Sequence, residues 1–336
     1  MDGDAFTTND NLIFYTFGYE HPPHRVHAFL KYVPTKLKSH FQIRFLPKHW
    51  KLGDIELIRP ETLYSASNLQ ELITTFQRSF PQYLYFSPFH EREIVSSPRN
   101  LIREVYVPSN CLQKLSKTKK RDQLQTSALE LTTLLSTQSG VSLEDFGLHG
   151  SIALNMHNAG SDIDLVVYGS ENFRKVEETV GCMAKEGELN YVFKDKLDRL
   201  RKQRGQYKDK IFVYNAVRKP KEVTVKYGDH QYSPVRPVMF SCKILDDSQT
   251  MFRPAIYPIN DYQALNSTSK LGRDEVPTVV VSMIGCYRNV ARKDDKVHVS
   301  GVLERVEHTE TGKVHCQAVV GSGTREDEYI CPKARS

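Results

Sequence analysis

The sequence predicts an α+β protein. A central mixed sheet carrying helices is flanked by an N-terminal α+β domain and by a C-terminal all-β domain, a small β-barrel or a sandwich. Three observations lead there. The chain has 336 residues, more than one ordinary core supports, so two or three domains are expected. Helical and strand-like periodicities alternate through its middle. From about Tyr232 helical patterning stops and short β-rich runs follow one another. The expected domains are 1–114, 123–230 and 232–334.

The elements follow in order. "NLIFYTFGY" and "RVHAFLKYVP" are rich in β-branched and aromatic residues and flank "EHPPH", so they read as two strands and a turn. "FQIRFLPKHWKLGDIELI" continues the β pattern, and "SNLQELITTFQRSF" reads as a helix opened by a Ser or Asn cap. The polar, basic "SKTKKRD" at 116–122 marks a boundary. In "DQLQTSALELTTLLSTQSG", Leu124, Ala128, Leu131 and Leu135 recur at helical spacing and Gly140 supplies the stop. "SIALNMH" reads as a helical turn and "DIDLVVYG" as a strand. In "SENFRKVEETVGCMAKEG", Phe173, Val176, Val180 and Met183 share a face, and Ser170 is the expected N-cap. Five strand-like runs close the chain: "PVMFSCKI", "MFRPAIYPI", "PTVVVSMIGCY", "KVHVSGVLERVEH" and "GKVHCQAVVG".

Composition excludes several classes. With 39% hydrophobic and 26% charged residues the chain is globular rather than disordered. No apolar run approaches a membrane span, and "MDGDAFTTNDN" is too acidic for a signal or transit peptide, so a cytoplasmic protein with no membrane partner is expected. The six cysteines never fall in a Cys-x-x-Cys pair, which argues against a zinc ribbon or dithiol site and for reduced, mostly buried thiols. His21, His24 and His27 flank Pro22 and Pro23, with no cysteine near, and read as turn and strand positions rather than metal ligands. Charge is concentrated: 194–226 holds twelve basic and four acidic residues, a local +8 against +6 for the whole chain. Such a field suits a polyanion such as RNA or a triphosphate.

The chemistry lies in "FGLHGSIALNMHNAGSDIDLVVYG", residues 146–169. Residues two apart on a strand point the same way, so Asp162 and Asp164 share one face while Ile163 and Leu165 share the other. Two such carboxylates repel and are costly if dry and unpaired. A hard divalent cation resolves the conflict and leaves sites for phosphate oxygens. Upstream, Gly150 lets backbone approach a phosphate closely, and the amides and the Ser151 hydroxyl supply donors.

This pattern resembles the signature of the DNA polymerase beta-like nucleotidyltransferase superfamily: Gly150-Ser151, the ten residues 152–161, then Asp162-Ile163-Asp164. The whole chain is similar to a family of predicted archaeal nucleotidyltransferases, through "GYEHPPHRVHAFLKYVP", the motif, "FRPAIYPI" and "GVLERVEH". The resemblance implies a nucleotidyltransferase-type central sheet, with Asp162 and Asp164 as catalytic ligands of Mg²⁺ (or Mn²⁺) in two-metal phosphoryl chemistry. It implies an NTP, ATP among them, held by Gly150 and Ser151, and transfer of NMP to a hydroxyl with release of pyrophosphate. RNA guided by the 194–226 segment is the favoured acceptor; a protein side chain or a small molecule are the others. Two departures stand out. His149 occupies a usually apolar position. The strand expected to carry a third carboxylate, "KIFVYNAV", offers Tyr214 and Asn215, with Asp209 and Glu222 as nearby substitutes. The alternative is a catalytically silent nucleotide- or RNA-binding protein that keeps the fold. Oligomeric state is not legible.

Overall fold

A computed structural model describes residues 1–63 and 65–333; positions 64 and 334, counted in the first and third expected domains, lie outside the described residues. Three sheets organise the chain. The first contains β1 (Ala5–Thr8), β2 (Ile13–Thr16), β3 (Arg25–Pro34), β4 (Trp50–Leu52), β5 (Ile55–Ile58), β6 (Leu84–Ser87), β7 (Arg92–Pro98) and β8 (Ile102–Tyr106). Its order is β4-β5-β3-β2-β1-β8, with β7 beside β3 and β6 beside β7. One face carries Phe6, Phe14 and Leu30 and is covered by Leu72 and Phe76 of α1 (Ala66–Ser79). The other face carries Ile13, Tyr15, Tyr32 and Leu57 and packs on Leu154 and Met156, just beyond the Gly-Ser turn. That second contact brings the first sheet to the candidate site.

The middle of the chain supplies α2 (Pro108–Lys117), α3 (Gln123–Ser139), β9 (Phe146–Leu148), α4 (Gly150–Ala153), β10 (Ile163–Tyr168), α5 (Ser170–Glu186), β11 (Asn190–Tyr191), α6 (Lys196–Arg201), β12 (Arg204–Tyr207) and β13 (Lys210–Val217). The sheet runs β11-β12-β13-β10-β9, with β10 and β13 parallel and the other pairs antiparallel. The periodicities explain its packing. Leu124, Ala128, Leu131 and Leu135 of α3 and Phe173, Val176, Val180 and Met183 of α5 are all buried against Leu165, Val167 and Phe212. Each of the Leu, Val, Phe and Met side chains among them, fully buried, contributes about 1.5–3 kcal/mol. A capping box between Asp122 and Gln125 starts α3, and Gly140, at φ +67°, ends it in the left-handed region.

The last third contains β14 (His230–Ile244), β15 (Ala255–Ala264), β16 (Val279–Ser282), β17 (Lys296–His308), β18 (Val314–Val320) and β19 (Tyr329–Pro332). The order β14-β15-β16-β18-β17 returns to β14, so five strands close a barrel and β19 adds to β17. These five are the five strand-like runs of the sequence, and closure selects the barrel over the sandwich. Val238, Phe240, Tyr257, Val297 and Val299 fill its interior. Arg174 and Glu177 of α5 hold the barrel to the central helices through Asp247, Asn289 and Arg292.

Two local expectations are corrected, and one element forms where none was expected. Ser170 is the first residue of α5, not its cap. Gly169, at φ +95°, holds the cap position, and Glu222, far downstream, accepts from the Ser170 N–H and hydroxyl at 2.9 and 3.0 Å. The cap of α1 is Ser65, which accepts from the Asn68 N–H, so that helix starts earlier than its Ser67-Asn68 text indicates. Finally, β1 arises from the polar-looking start of the chain. All six cysteines are free. Among the described residues no helix is long and apolar enough to cross a membrane.

Buried imidazoles give the fold a pH signature. Burial, with charged neighbours adding, lowers His21 and His90 to about 4 and His27 to about 3. His27 packs edge-on against Phe17 with ring centroids 5.2 Å apart. Unfolding lets each imidazole take up a proton below its ordinary value of 6.5, so stability present above pH 6.5 is lost as pH falls towards 4. Glu20 acts in the opposite sense: burial raises it to about 7, so its contribution is full below 4.5 and lost as pH rises through 7. Among these four groups the three imidazoles outweigh the one carboxyl. Thermal melts should show stability falling between pH 6.5 and 4.5, by about 1 kcal/mol per pH unit for each imidazole. His27→Phe should flatten that slope.

Candidate active site

The alternation in β10 places the two aspartates. Ile163, Leu165 and Val167 point into the helix-covered core, which leaves Asp162 and Asp164 on the opposite face. The Gly-Ser turn is fastened to them. The His149 N–H donates to the Asp164 carbonyl at 2.9 Å. Gly150 follows at φ +65°, and a Cβ there would lie 2.0 Å from Asp164 Oδ2. Only glycine fits both the conformation and the space. The intervening loop then returns the chain: the Asn158 N–H donates to Ser161 Oγ and the Ser161 N–H to the Asn158 carbonyl, at 3.1 and 2.9 Å.

The electrostatics of the pair are unequal. Asp162 is 37% exposed and accepts from Arg204 Nη1 at 3.1 Å. Asp164 is more enclosed, and burial raises its carboxyl above the usual range; Asp162 adds to the rise, while Lys31, Arg59 and Arg204 oppose it. Two of these cations come from the first sheet. Tyr15 and Tyr32, from the same sheet, lie close enough that the charge of Asp164 acts on their phenols, which burial raises further. His149 packs on Tyr15 with centroids 4.7 Å apart, and burial lowers it to about 3. A neutral ring therefore fills the position where an apolar residue was expected.

Among the described residues no third carboxylate joins the pair. In the parallel register Asp164 faces Val213 and Val166 faces Asn215, and β12 places Arg204 beside Val213. Tyr214 is buried in the helix-covered core, and Asn215 accepts from Arg288 Nη2 at 2.9 Å. Neither proposed substitute serves. Asp209 pairs with Lys210 at 2.9 Å, and Glu222 caps α5 at the far end of β13 and accepts from the Lys219 N–H. Among the described residues no group of three or more His, Cys, Asp and Glu gathers to hold a metal. Two carboxylates on one face fit a single hard divalent ion that completes its shell with water and phosphate oxygens. They do not fit a three-carboxylate, two-metal set.

The site face is open at Asp162 and sealed further in. A cavity of about 40 Å³ behind His149 is lined by Tyr15 of the first sheet, by Val166 and Asn215 of the central sheet, and by Arg253 and Arg288 from loops of the last third. A cleft of about 490 Å³ lies between His49, Trp50 and Lys51 of the first sheet and residues 155–158. Residues 131–227 match the nucleotidyltransferase domain family. The matched stretch contains Gly150, Ser151, both aspartates and Arg204, whereas Lys31 and Arg59 lie outside it. The whole chain is similar to an uncharacterized protein of the archaeon Methanocaldococcus jannaschii, 24% identical over 350 aligned positions that cover 97% of each chain. No solved structure matches.

The basic segment that overlaps the end of the nucleotidyltransferase domain is not one continuous face. Arg204 binds Asp162, Lys208 binds Glu130, and Lys219 binds Asp145. Arg218 is buried, with its guanidinium on the Gln249 amide oxygen and over the Phe252 ring. Sequence reasoning missed Arg204, Lys31 and Arg59 as site residues. The available signal for Lys31 is a lone cation inside the apolar run "AFLKYVP"; Arg204 lies in the basic 194–226 segment, which stands out only as a whole, and for Arg59 there is none.

The Gly150 contact is testable against a control. Gly140→Ala meets a similar φ but no atom within 4 Å, so it should cost about 1–2 kcal/mol. Gly150→Ala adds the carboxylate clash and should cost about 2–4 kcal/mol in denaturant melts, with Asp164 displaced.

Proposed function

We propose that the protein is a metal-dependent nucleotidyltransferase that moves NMP from an NTP to a hydroxyl acceptor and releases pyrophosphate. One observation carries this reading: within the nucleotidyltransferase domain the Asp164 carboxylate lies against Gly150, so the motif's two halves form one surface. Asp162 and Asp164 would hold Mg²⁺ or Mn²⁺, which when bound withdraws charge from phosphate oxygens. The N–H groups of Gly150 and Ser151 head α4, have no intrahelical acceptor, and would receive phosphate oxygens. Asp162 is the more exposed carboxylate and the one accessible to an acceptor. In the transfer the acceptor oxygen bonds to the α-phosphorus, the bridge to the β-phosphate breaks, the hydroxyl proton leaves to solvent, and pyrophosphate departs. RNA is the favoured acceptor, because among the described residues Lys194, Lys196, Arg199, Lys202, Lys221 and Lys226 stay outside the ion pairs that 194–226 forms; a protein side chain or a small molecule would use the same site. Six free cysteines suit a cytoplasmic setting.

A second reading, a silent nucleotide- or RNA-binding protein, is favoured by one observation: Val213 stands across from Asp164 where an acid would complete a two-metal set. The two readings separate in a transfer assay with each α-labelled NTP, Mg²⁺ or Mn²⁺, and total cellular RNA. Label entering RNA or the protein, and lost in the Asp162→Ala/Asp164→Ala double variant, supports the transferase. NTP binding without transfer supports the silent binder. If the transferase reading holds, Asp162→Asn or Asp164→Asn should lower the rate about a hundredfold or more while far-UV circular dichroism stays unchanged.

A further inference from the structure

We infer that Lys31 and Arg59 of the first sheet grip the polyphosphate of the bound nucleotide, so that the site extends beyond the nucleotidyltransferase domain. This rests on the nucleotide reading above. The argument begins with register. In the β2–β3 pair Phe14 faces Leu30 and Ile13 faces Tyr32, which leaves Lys31 as the extra residue of a bulge. A bulge re-aims a side chain. Here it lets Phe29, Lys31 and Tyr32 all serve the face that packs towards α4, while Leu30 stays in the core under α1. The Lys31 ammonium lies over the Tyr15 ring, 5.2 Å from its centroid, and Tyr15 in turn packs on His149, next to Gly150.

Neither cation closes an ion pair. Among the described residues neither Lys31 nor Arg59 makes a side-chain hydrogen bond or ion pair, and Arg59 Nε is buried with no acceptor. Buried cations are ordinarily paired, because an unpaired charge away from water is costly. Asp164 is near enough for its charge to be felt by Lys31, yet no ion pair closes. The arrangement is therefore two carboxylates followed by two unpaired cations. A metal–polyphosphate complex has the complementary order, with its cation against the aspartates and its anionic oxygens against Lys31 and Arg59. A free metal ion would leave the cations unsatisfied, and a simple anion would leave the aspartates unsatisfied.

The test uses the full-length protein with inorganic tripolyphosphate and ATP as probes, each with Mg²⁺, in calorimetry and thermal melts. Lys31→Met and Arg59→Met should each weaken tripolyphosphate and ATP binding about tenfold or more, as loss of a charge-assisted contact does. Lys31→Arg should retain most of the affinity. Without ligand, Lys31→Met should melt no lower than the parent, because it removes an unpaired cation; its ligand-induced shift should shrink in step with the weaker binding. Lys31→Met melting well below the parent would show that Lys31 serves the fold through Asp164, and would overturn the proposal. So would ATP binding to the parent with both methionine variants unaffected, which leaves the nucleotide reading intact. If the parent binds neither probe, the nucleotide reading fails and this inference fails with it.

Discussion

The contact between the Gly150 α-carbon and the Asp164 carboxylate is the constraint around which the protein is arranged. It requires a residue without a side chain at φ +65°, directly after a strand, and a carboxylate at a particular step of β10. The hydrogen bond from the His149 N–H to the Asp164 carbonyl fixes the approach from the backbone side. Because the two halves touch, the ten residues between them must fold away as a loop, and that loop delivers Leu154 and Met156 to the first sheet. The same geometry therefore creates the acidic surface and docks a second sheet beside it. Local steric exclusion and long-range packing are one feature here.

Burial of Asp164 also sets the electrostatic character of its surroundings. A carboxylate removed from water and next to a like charge is held in its charged form only by nearby cations. Arg204 arrives from the neighbouring strand, and Lys31 and Arg59 from the first sheet, so three segments distant in sequence act on one group. His149, lowered to about 3 by burial, adds no competing positive charge. Val213, opposite Asp164, adds no negative one. The balance at the site comes from elements on both sides of it.

Much of this architecture is legible in the sequence, and the limits have physical causes. The stripes on α3 and α5 are local properties of a 3.6-residue period, and every residue assigned to them is buried. The five barrel strands are legible for the same reason. Whether they close is not, because closure depends on β14 pairing with β17 about sixty residues later, which leaves no local mark. Ser170 was misread because its acceptor, Glu222, comes from another part of the chain, while the cap position itself goes to a glycine. The aspartate pair could be placed on one face by counting; the cations that face it could not. Lys31 reaches the site through a bulge, and a one-residue change of register has no signature in composition.

The shared underside of the central sheet has a consequence for how the protein can be taken apart. The strip of residues that matches the nucleotidyltransferase domain family reads like a portable cassette, yet its sheet is covered by helices on one side only. On the other side Val166 and Val217 border a cavity walled by Tyr15 and Phe29 from the start of the chain and by Arg253 and Arg288 from loops of the last third. Cut free, that strip would present wet apolar surface where its neighbours now lie, and would lose two of the cations facing its acids. Architecture of this kind ties inheritance together: the flanking thirds are walls of the same room as the motif, and all three must change in step.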